Sequence, residues 1–336
     1  VRLAEQFVAA WYAPRLTPLT AALLPLSLLF RAVVAVRRFT YRTRFAPRVT
    51  LPVAVIVVGS ITVGGAGKTP LTRALAEALA DRGWRPGMVS RGYGGDDVGP
   101  RAVTVGDDPA QVGDEPLLLA AAGFPVWIGH DRVAAAQSLL RANPECNVVL
   151  SDDGLQHYAL ARDFEIAAID GARRLGNGHL LPAGPLREPS SRLSEVDAVV
   201  RLVPSASDAA GEDGRETTMW HEPLAWHNLV ETSAVADASR WRSAHAIAGI
   251  ANPQRFFDLV RRLGIGPVFH IFPDHHRYRP EEIAFAGADA ILMTEKDAVK
   301  CRAFADARCW YLPIRARIDP ALVDRVERKL RGRQAA

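Results

Sequence analysis

Hydrophobic residues crowd the start of the chain without a strict period: residues 16–30 are uncharged and rich in Leu. The stretch is only fifteen residues long and contains Pro18 and Pro25. A membrane crossing needs about 20 apolar residues, and prolines interrupt a helix. The pattern therefore predicts helices lying on a membrane surface, with a helix pair packed on the protein's own core as the alternative. No small-residue cleavage site accompanies the stretch and basic residues follow it, which argues against a signal peptide. Beyond residue 48 the pattern changes. Residues 53–58 form a continuous β-branched run, as in a buried parallel strand, followed by a glycine-rich turn and an apolar helical stripe at Leu71, Leu75 and Leu79. Thr69 is expected to cap that helix, Pro70 to occupy its first position and Gly83 to end it.

Further strand-like runs at 87–90, 125–128, 148–150 and 164–169 alternate with Ala- and Leu-rich helical stretches, the pattern of a doubly wound α/β sheet. A second set occupies 197–203, 244–250, 267–271, 290–293 and 310–313, and residues 205–218 read as an exposed loop. The fold class expected is α/β: a P-loop NTPase-like doubly wound parallel sheet, a second, smaller α/β domain and an N-terminal membrane-associating helical segment. The expected divisions are 1–48 for the membrane-surface segment, 49–157 for the nucleotide-binding domain and 158–319 for the second domain. A final helix over 320–333 is free to pack on the first.

Composition narrows the function classes. With 336 residues, 49% apolar and 23% charged, the chain is not disordered. The net charge of +4 is modest, yet Arg15, Arg31, Arg37, Arg38, Arg42, Arg44 and Arg48 crowd the first fifty residues, where Glu5 is the only acid. A basic face beside an apolar segment suits an anionic membrane better than a nucleic acid. A solvated basic linker is the alternative. Cys146, Cys301 and Cys309 have no metal-ligand spacing and point to a reduced, cytosol-facing protein.

The strongest chemical signal is Gly64-Gly65-Ala66-Gly67-Lys68-Thr69, between a buried strand and a helix. Glycines let backbone N–H groups turn inward around phosphates, and the helix N-terminus adds positive potential. Lys68 can reach the β- and γ-phosphates, and the Thr69 hydroxyl can ligate Mg²⁺. The usual first glycine would fall on Thr62. The loop instead resembles the glycine-doublet variant, with Val63 where that variant carries a signature lysine. A second apolar strand ends in Asp152 and Asp153; adjacent carboxylates are costly without a cation, so Asp152 is expected at the metal and Asp153 near the phosphates. Arg91 and Tyr93, in Ser90-Arg91-Gly92-Tyr93-Gly94-Gly95, can face phosphate and stack on a base or sugar. In Gly113-Asp114-Glu115-Pro116 the acids either favour a helix dipole or supply, in Asp114, a general base. His275 and His276 beside Asp274 suit proton transfer; no third ligand supports zinc. Thr294-Glu295-Lys296-Asp297 either faces a phosphate or is a surface ion-pair cluster.

Residues 58–70, 90–95, 113–116, 152–157, 180–189, 249–257 and Asp274-His275 together resemble the tetraacyldisaccharide 4′-kinases, the lipid A 4′-kinases of Gram-negative bacteria. Ser60 and Ala66 depart from the residues common in that family. The resemblance implies transfer of the ATP γ-phosphate to the 4′-hydroxyl of a tetraacylated glucosamine disaccharide 1-phosphate, giving lipid IVA. It also implies a monotopic enzyme on the cytoplasmic face of the inner membrane, with two α/β domains joined by a two-stranded connection. Its partners would be the lipid and the membrane surface, with no nucleic acid, and the protein is expected to be a monomer. The implied catalytic residues are Asp114, His275, Lys68 and Asp153. The nucleotide residues are Thr62, Val63, Gly64, Gly65, Ala66, Gly67, Lys68, Thr69, Arg91 and Tyr93, and the Mg²⁺ residues are Thr69, Asp152, Glu115 and Glu188. Alternatives are a P-loop kinase or ATPase with a soluble acceptor, and a nucleotide-switch ATPase.

Overall fold

The computed structural model describes residues 2–209, 215–231, 236 and 241–334. Three helices come first: α1 (Arg2–Trp11), α2 (Pro18–Ala22) and α3 (Leu24–Arg42). Pro18 and Pro25 each lie in a first turn, where the missing N–H is not needed, so they divide the segment into separate helices. One side of α3 is docked: Phe30 and Val34 pack on the core, and the Ser27 hydroxyl donates to the Leu180 carbonyl. Elsewhere α3 leaves Leu26, Leu28, Leu29, Val33, Val36 and Phe39 more than half exposed. No helix among the described residues is long and apolar enough to cross a membrane.

The larger sheet, among the described residues, has nine strands. They are β1 (Ala54–Gly59), β2 (Pro86–Ser90), β3 (Arg101–Val103), β4 (Val126–Ile128), β5 (Val148–Asp152), β6 (Phe164–Asp170), β7 (Ala198–Val203), β8 (Glu216–Pro223) and, from the end of the chain, β14 (Ile314–Ile318). The spatial order is β14-β8-β7-β6-β1-β5-β2-β4-β3. All neighbours are parallel except the two edge pairs, β3 with β4 and β14 with β8. Every residue of β1 and β5 is buried because helices cover both faces, which explains their unbroken apolar runs. On one face lie α4 (Lys68–Ala80), α5 (Pro109–Val112), α6 (Asp114–Ala120) and the last helix, α10 (Pro320–Gln334). The other is covered by α3 and α7 (Arg132–Ala142). The smaller sheet is β11-β10-β12-β13-β9, comprising β9 (His227–Asn228), β10 (Ala244–Ala248), β11 (Val268–Ile271), β12 (Ala290–Thr294) and β13 (Cys309–Leu312). Its helices include α8 (Pro253–Arg262) and α9 (Glu295–Cys301).

Three expectations change. The division at 157/158 falls inside the larger sheet, because β6, β7 and β8 continue it outward from β1 and β14 returns to its edge. A buried parallel strand reads alike in either sheet, so periodicity could not place these. The chain crosses between sheets twice, after β8 and before β14, where Leu224 N–H donates to the Pro313 carbonyl at 2.9 Å. Second, α4 begins at Lys68, with Gly67 as its left-handed N-cap at φ 78°; Thr69 is inside the helix and its hydroxyl is turned to Asp152. Third, the expected loop over 205–218 ends early, since β8 starts at Glu216; residues 210–214 lie outside the described residues. The final helix packs Leu322, Val323, Val326 and Leu330 into the core of the larger sheet.

Candidate active site

The carboxyl ends of strands from both sheets face one cleft of about 1330 Å³. That is where ligands bind in open α/β sheets. The larger sheet contributes the loop after β1, Arg91 and Tyr93 after β2, and Asp153 after β5; the smaller contributes Asp274, His275 and Lys296.

The loop after β1 is tied down by the chain running past it. Val63 N–H donates to the Pro185 carbonyl at 2.9 Å, and Arg187 Nε donates to the Thr62 carbonyl at 3.1 Å. Thr62 is buried against Ser60, whose hydroxyl is 2.9 Å from its own. Gly64 has φ 101°, and Gly67 adds close packing to its positive φ: a Cβ there would lie 2.5 Å from Met219 Cε. The two glycines aim the chain from strand into helix and leave Gly65 and Lys68 on the cleft wall, while Ala66 is packed in the core. Lys68 Nζ lies 3.5 Å from the Gly64 carbonyl and 3.9 Å from Asp153.

Asp152 is fully buried and accepts hydrogen bonds from Thr69 Oγ1 at 2.8 Å and Thr72 Oγ1 at 3.0 Å. Burial, and after it the charge of Glu115, push its carboxyl up to about 6, with Thr69 opposing. A buried acid so placed is short of positive charge. Asp153 is different. Its side chain is about a third exposed, its φ is 47°, and Arg187 Nη1 approaches both its oxygens at 3.1 Å. Burial opposes its ionisation, but Lys68 and Arg187 hold it below the usual carboxylate range.

Across the cleft, His275 Nδ1 stands 3.0 Å from Asp114 Oδ1, at an angle short of good hydrogen-bond alignment. His275, like Asp153, has a left-handed backbone, φ 59°, a strained conformation for a residue other than glycine. Tyr93 sets its ring edge against the imidazole, with centroids 4.8 Å apart. Lys296 Nζ is 3.2 Å from His275 Nε2 and 3.1 Å from Glu115 Oε1. Burial disfavours the Asp114 carboxylate, but His275, Lys296 and Lys300 together hold it below the usual range.

Glu188 does not join Asp152. Its carboxylate is buried beneath the loop, where Tyr158 Oη and Gln156 Nε2, the latter at 2.6 Å, donate to it, and Arg192 and Arg38 lie at 3.4 and 3.8 Å. With its oxygens so occupied it anchors Gln156, which also meets Arg187 at 3.1 Å. Among the described residues no group of three His, Cys, Asp or Glu side chains is placed to hold a metal ion. Two site residues escaped sequence reasoning. Thr72 had a signal, since it stands three after Thr69 on one helix face, and Arg187 lay beside the expected Glu188; Lys296 was legible only as part of a cluster that either faces a phosphate or is a surface ion pair.

The family model for Tetraacyldisaccharide-1-P 4′-kinase matches residues 19–331. The Tetraacyldisaccharide 4′-kinase of Dechloromonas aromatica is 48% identical over 345 residues, covering 99% of this chain and 100% of that protein. That of Methylobacillus flagellatus is 49% identical over 315 residues, covering 91% and 90%. The crystal structure of LpxK from Aquifex aeolicus in complex with ATP superposes with a TM-score of 0.78 at 28% identity, over 93% of this chain and 99% of that one. The chain belongs to the tetraacyldisaccharide-1-P 4′-kinase family.

Proposed function

We propose that the protein transfers the γ-phosphate of ATP to the 4′-hydroxyl of tetraacyldisaccharide 1-phosphate at a membrane surface. The observation that carries this is a single cleft, in a chain of this family, lined by a glycine-rich strand-to-helix loop, by Thr69, which is bonded to the buried Asp152 behind it, and by His275, whose Nδ1 faces the buried Asp114. The loop and Lys68 hold the β- and γ-phosphates, and Arg91 and Tyr93 border the nucleotide. Thr69 and Asp152 would hold Mg²⁺, and Glu115 lines the same cleft; the fit rests on the buried, cation-deficient carboxylate of Asp152. The ion supplies charge neutralisation on the β- and γ-phosphates when bound. Asp153 fixes Lys68 and Arg187, and Glu188 acts on Arg187 through Gln156 rather than as a ligand.

The hydrogen-bond pattern supports one assignment of roles to the second pair within this reading. An ammonium can only donate, so His275 Nε2 accepts from Lys296, and Nδ1 carries the hydrogen facing Asp114. Asp114 is then the carboxylate of a dyad that takes the proton of the acceptor hydroxyl as its oxygen attacks the γ-phosphorus and ADP leaves. The dyad is drawn from both sheets, so closing the cleft both assembles it and excludes water from ATP. The exposed apolar residues of α3, flanked by Arg31, Arg37 and Arg42, lie on the cytoplasmic face of the inner membrane, where the acyl chains of the acceptor are anchored. The protein acts there as a monomer.

The test is to incubate the detergent-solubilised protein with Mg-ATP and tetraacyldisaccharide 1-phosphate and to locate any new phosphate by mass spectrometry and ³¹P NMR. A second phosphate at the 4′ position is expected. Phosphorylation of a water-soluble acceptor with the lipid untouched would overturn the reading.

A further inference from the structure

Lys296 is given little to do by the reaction as described, yet it is unusually placed. It lies in the first turn of α9, on the smaller-sheet side, and its ammonium reaches across the cleft. It is 3.1 Å from Glu115 Oε1, 3.2 Å from His275 Nε2, 3.4 Å from Asp274 Oδ1 and 3.9 Å from Asp114 Oδ2. Three N–H hydrogens are spread over four acceptors, so no one of them is a dedicated partner.

Lys300, one turn on, shows the contrast. It is 2.7 Å from Asp297, and that fully buried carboxylate also accepts from Thr294 Oγ1 at 2.6 Å and Tyr278 Oη at 3.1 Å. Lys300 has a dedicated carboxylate in Asp297, with Asp114 farther off at 3.9 Å; Lys296 has no such dedicated partner. The backbone that carries Lys296 is nevertheless held firmly: Thr294 caps α9, and Glu295 meets Arg73 of α4 at 3.5 Å. A fixed Cα beside the phosphate-loop helix and a long side chain with interchangeable partners describe a mobile charge. Burial works against that charge, but Glu115, Asp114 and Asp274 outweigh it and keep the amine protonated.

We propose, building on the phosphotransferase reading, that Lys296 is a second phosphate-binding cation of the reaction. In this structure it rests on His275 Nε2 and Glu115, and when nucleotide and acceptor fill the cleft it moves onto the transferring phosphoryl group. The transition state of phosphoryl transfer spreads negative charge over three equatorial oxygens. Lys68 meets that charge from the loop side, and Lys296 meets it from the opposite side, next to the dyad that faces the acceptor. A positioned cation in a site that excludes water stabilises the developing charge far more than it would in solvent. The move has a second consequence: it uncovers the His275 Nε2 lone pair, to which the acceptor hydroxyl yields its proton while the new O–P bond forms and the bond from phosphorus to the ADP oxygen breaks.

The experiment compares wild type with Lys296→Met and Lys296→Arg in binding Mg-ADP alone and Mg-ADP with aluminium fluoride in the presence of tetraacyldisaccharide 1-phosphate. Turnover and thermal unfolding are followed in parallel. Lys296→Met is expected to bind ADP within twofold of wild type, to lose at least thirtyfold in affinity for the aluminium fluoride complex and to lose a similar factor in kcat, with partial recovery in Lys296→Arg. Equal losses for ADP and for the fluoride complex would reduce Lys296 to organising the cleft and overturn the proposal; so would unchanged affinity for both. If Lys296→Met does not fold, Lys296→Gln is read by the same criteria. Wild type that binds ADP without phosphorylating the lipid would instead fail the functional reading beneath the proposal.

Discussion

Replacing Asp152 by Asn should make the ligand-free protein more stable near neutral pH while removing its activity. Asp152 is fully buried, and burial with the nearby charge of Glu115 lifts its carboxyl from 3.8 to about 6. An acid whose folded pKa is raised contributes a penalty. Below 3.8 it is protonated whether the chain is folded or not; between 3.8 and 6 the unfolded chain ionises first and stability falls; above 6 the full penalty is present. A shift of about 2 units corresponds to ~3 kcal/mol. Asn keeps the shape and accepts from one of Thr69 and Thr72, giving back about 1 kcal/mol of hydrogen bonding. The net gain is roughly 2 kcal/mol, a rise of a few degrees in Tm. Thermal unfolding of both proteins without added metal, at pH 4 and at pH 7.5, tests this: the difference should be near zero at pH 4 and clearly positive at pH 7.5. Kinase activity of the variant should be lost at both. A destabilised variant at pH 7.5, or a gain equal at the two values, would refute the reasoning.

Two further predictions follow from the dyad and from α3. Asp114→Asn and His275→Ala should each lower kcat by about 10²- to 10⁴-fold with ATP binding intact, and the double variant should lose little more, because the pair acts as a unit; near-normal turnover in either would remove the dyad from the mechanism. Replacing Leu28 and Leu29 by Ser on the exposed side of α3 should weaken sedimentation with anionic vesicles by roughly tenfold per leucine while thermal stability holds, since both are about two-thirds exposed and pack little on the protein. Unchanged sedimentation would place the membrane contact elsewhere.

The parts of this protein that a sequence makes legible are those fixed by local chemistry. The glycine loop was readable because φ-positive glycines, a lysine and a hydroxyl must follow one another at a strand-to-helix turn, and Gly64 and Gly67 indeed have positive φ. The two acids after β5 were readable as a pair, but not their different fates: Asp152 packs inward on two threonines, while Asp153 turns out to Arg187. What depends on distant packing was hidden. The pattern of β6 and β7 announces buried parallel strands and says nothing about which sheet they extend. Glu188 sits beside Arg187 in sequence, yet only the fold decides that it meets Tyr158 and Arg192 and does not join Asp152. The Lys296 cluster fits a surface ion-pair reading equally well until α9 is seen to dock its first turn on the acids that open α6.

The central claim is tested most directly by labelled transfer. Wild type and Lys68→Ala, each checked for intact folding, are given γ-labelled ATP and tetraacyldisaccharide 1-phosphate in detergent, and the lipid is extracted and counted. The account predicts label in the lipid with wild type and nearly none with Lys68→Ala, because the lysine at the loop's end lines the cleft and is needed for phosphate and not for the core. Folded wild type that binds ATP but leaves the lipid unlabelled, or Lys68→Ala that labels it as well as wild type, would contradict it.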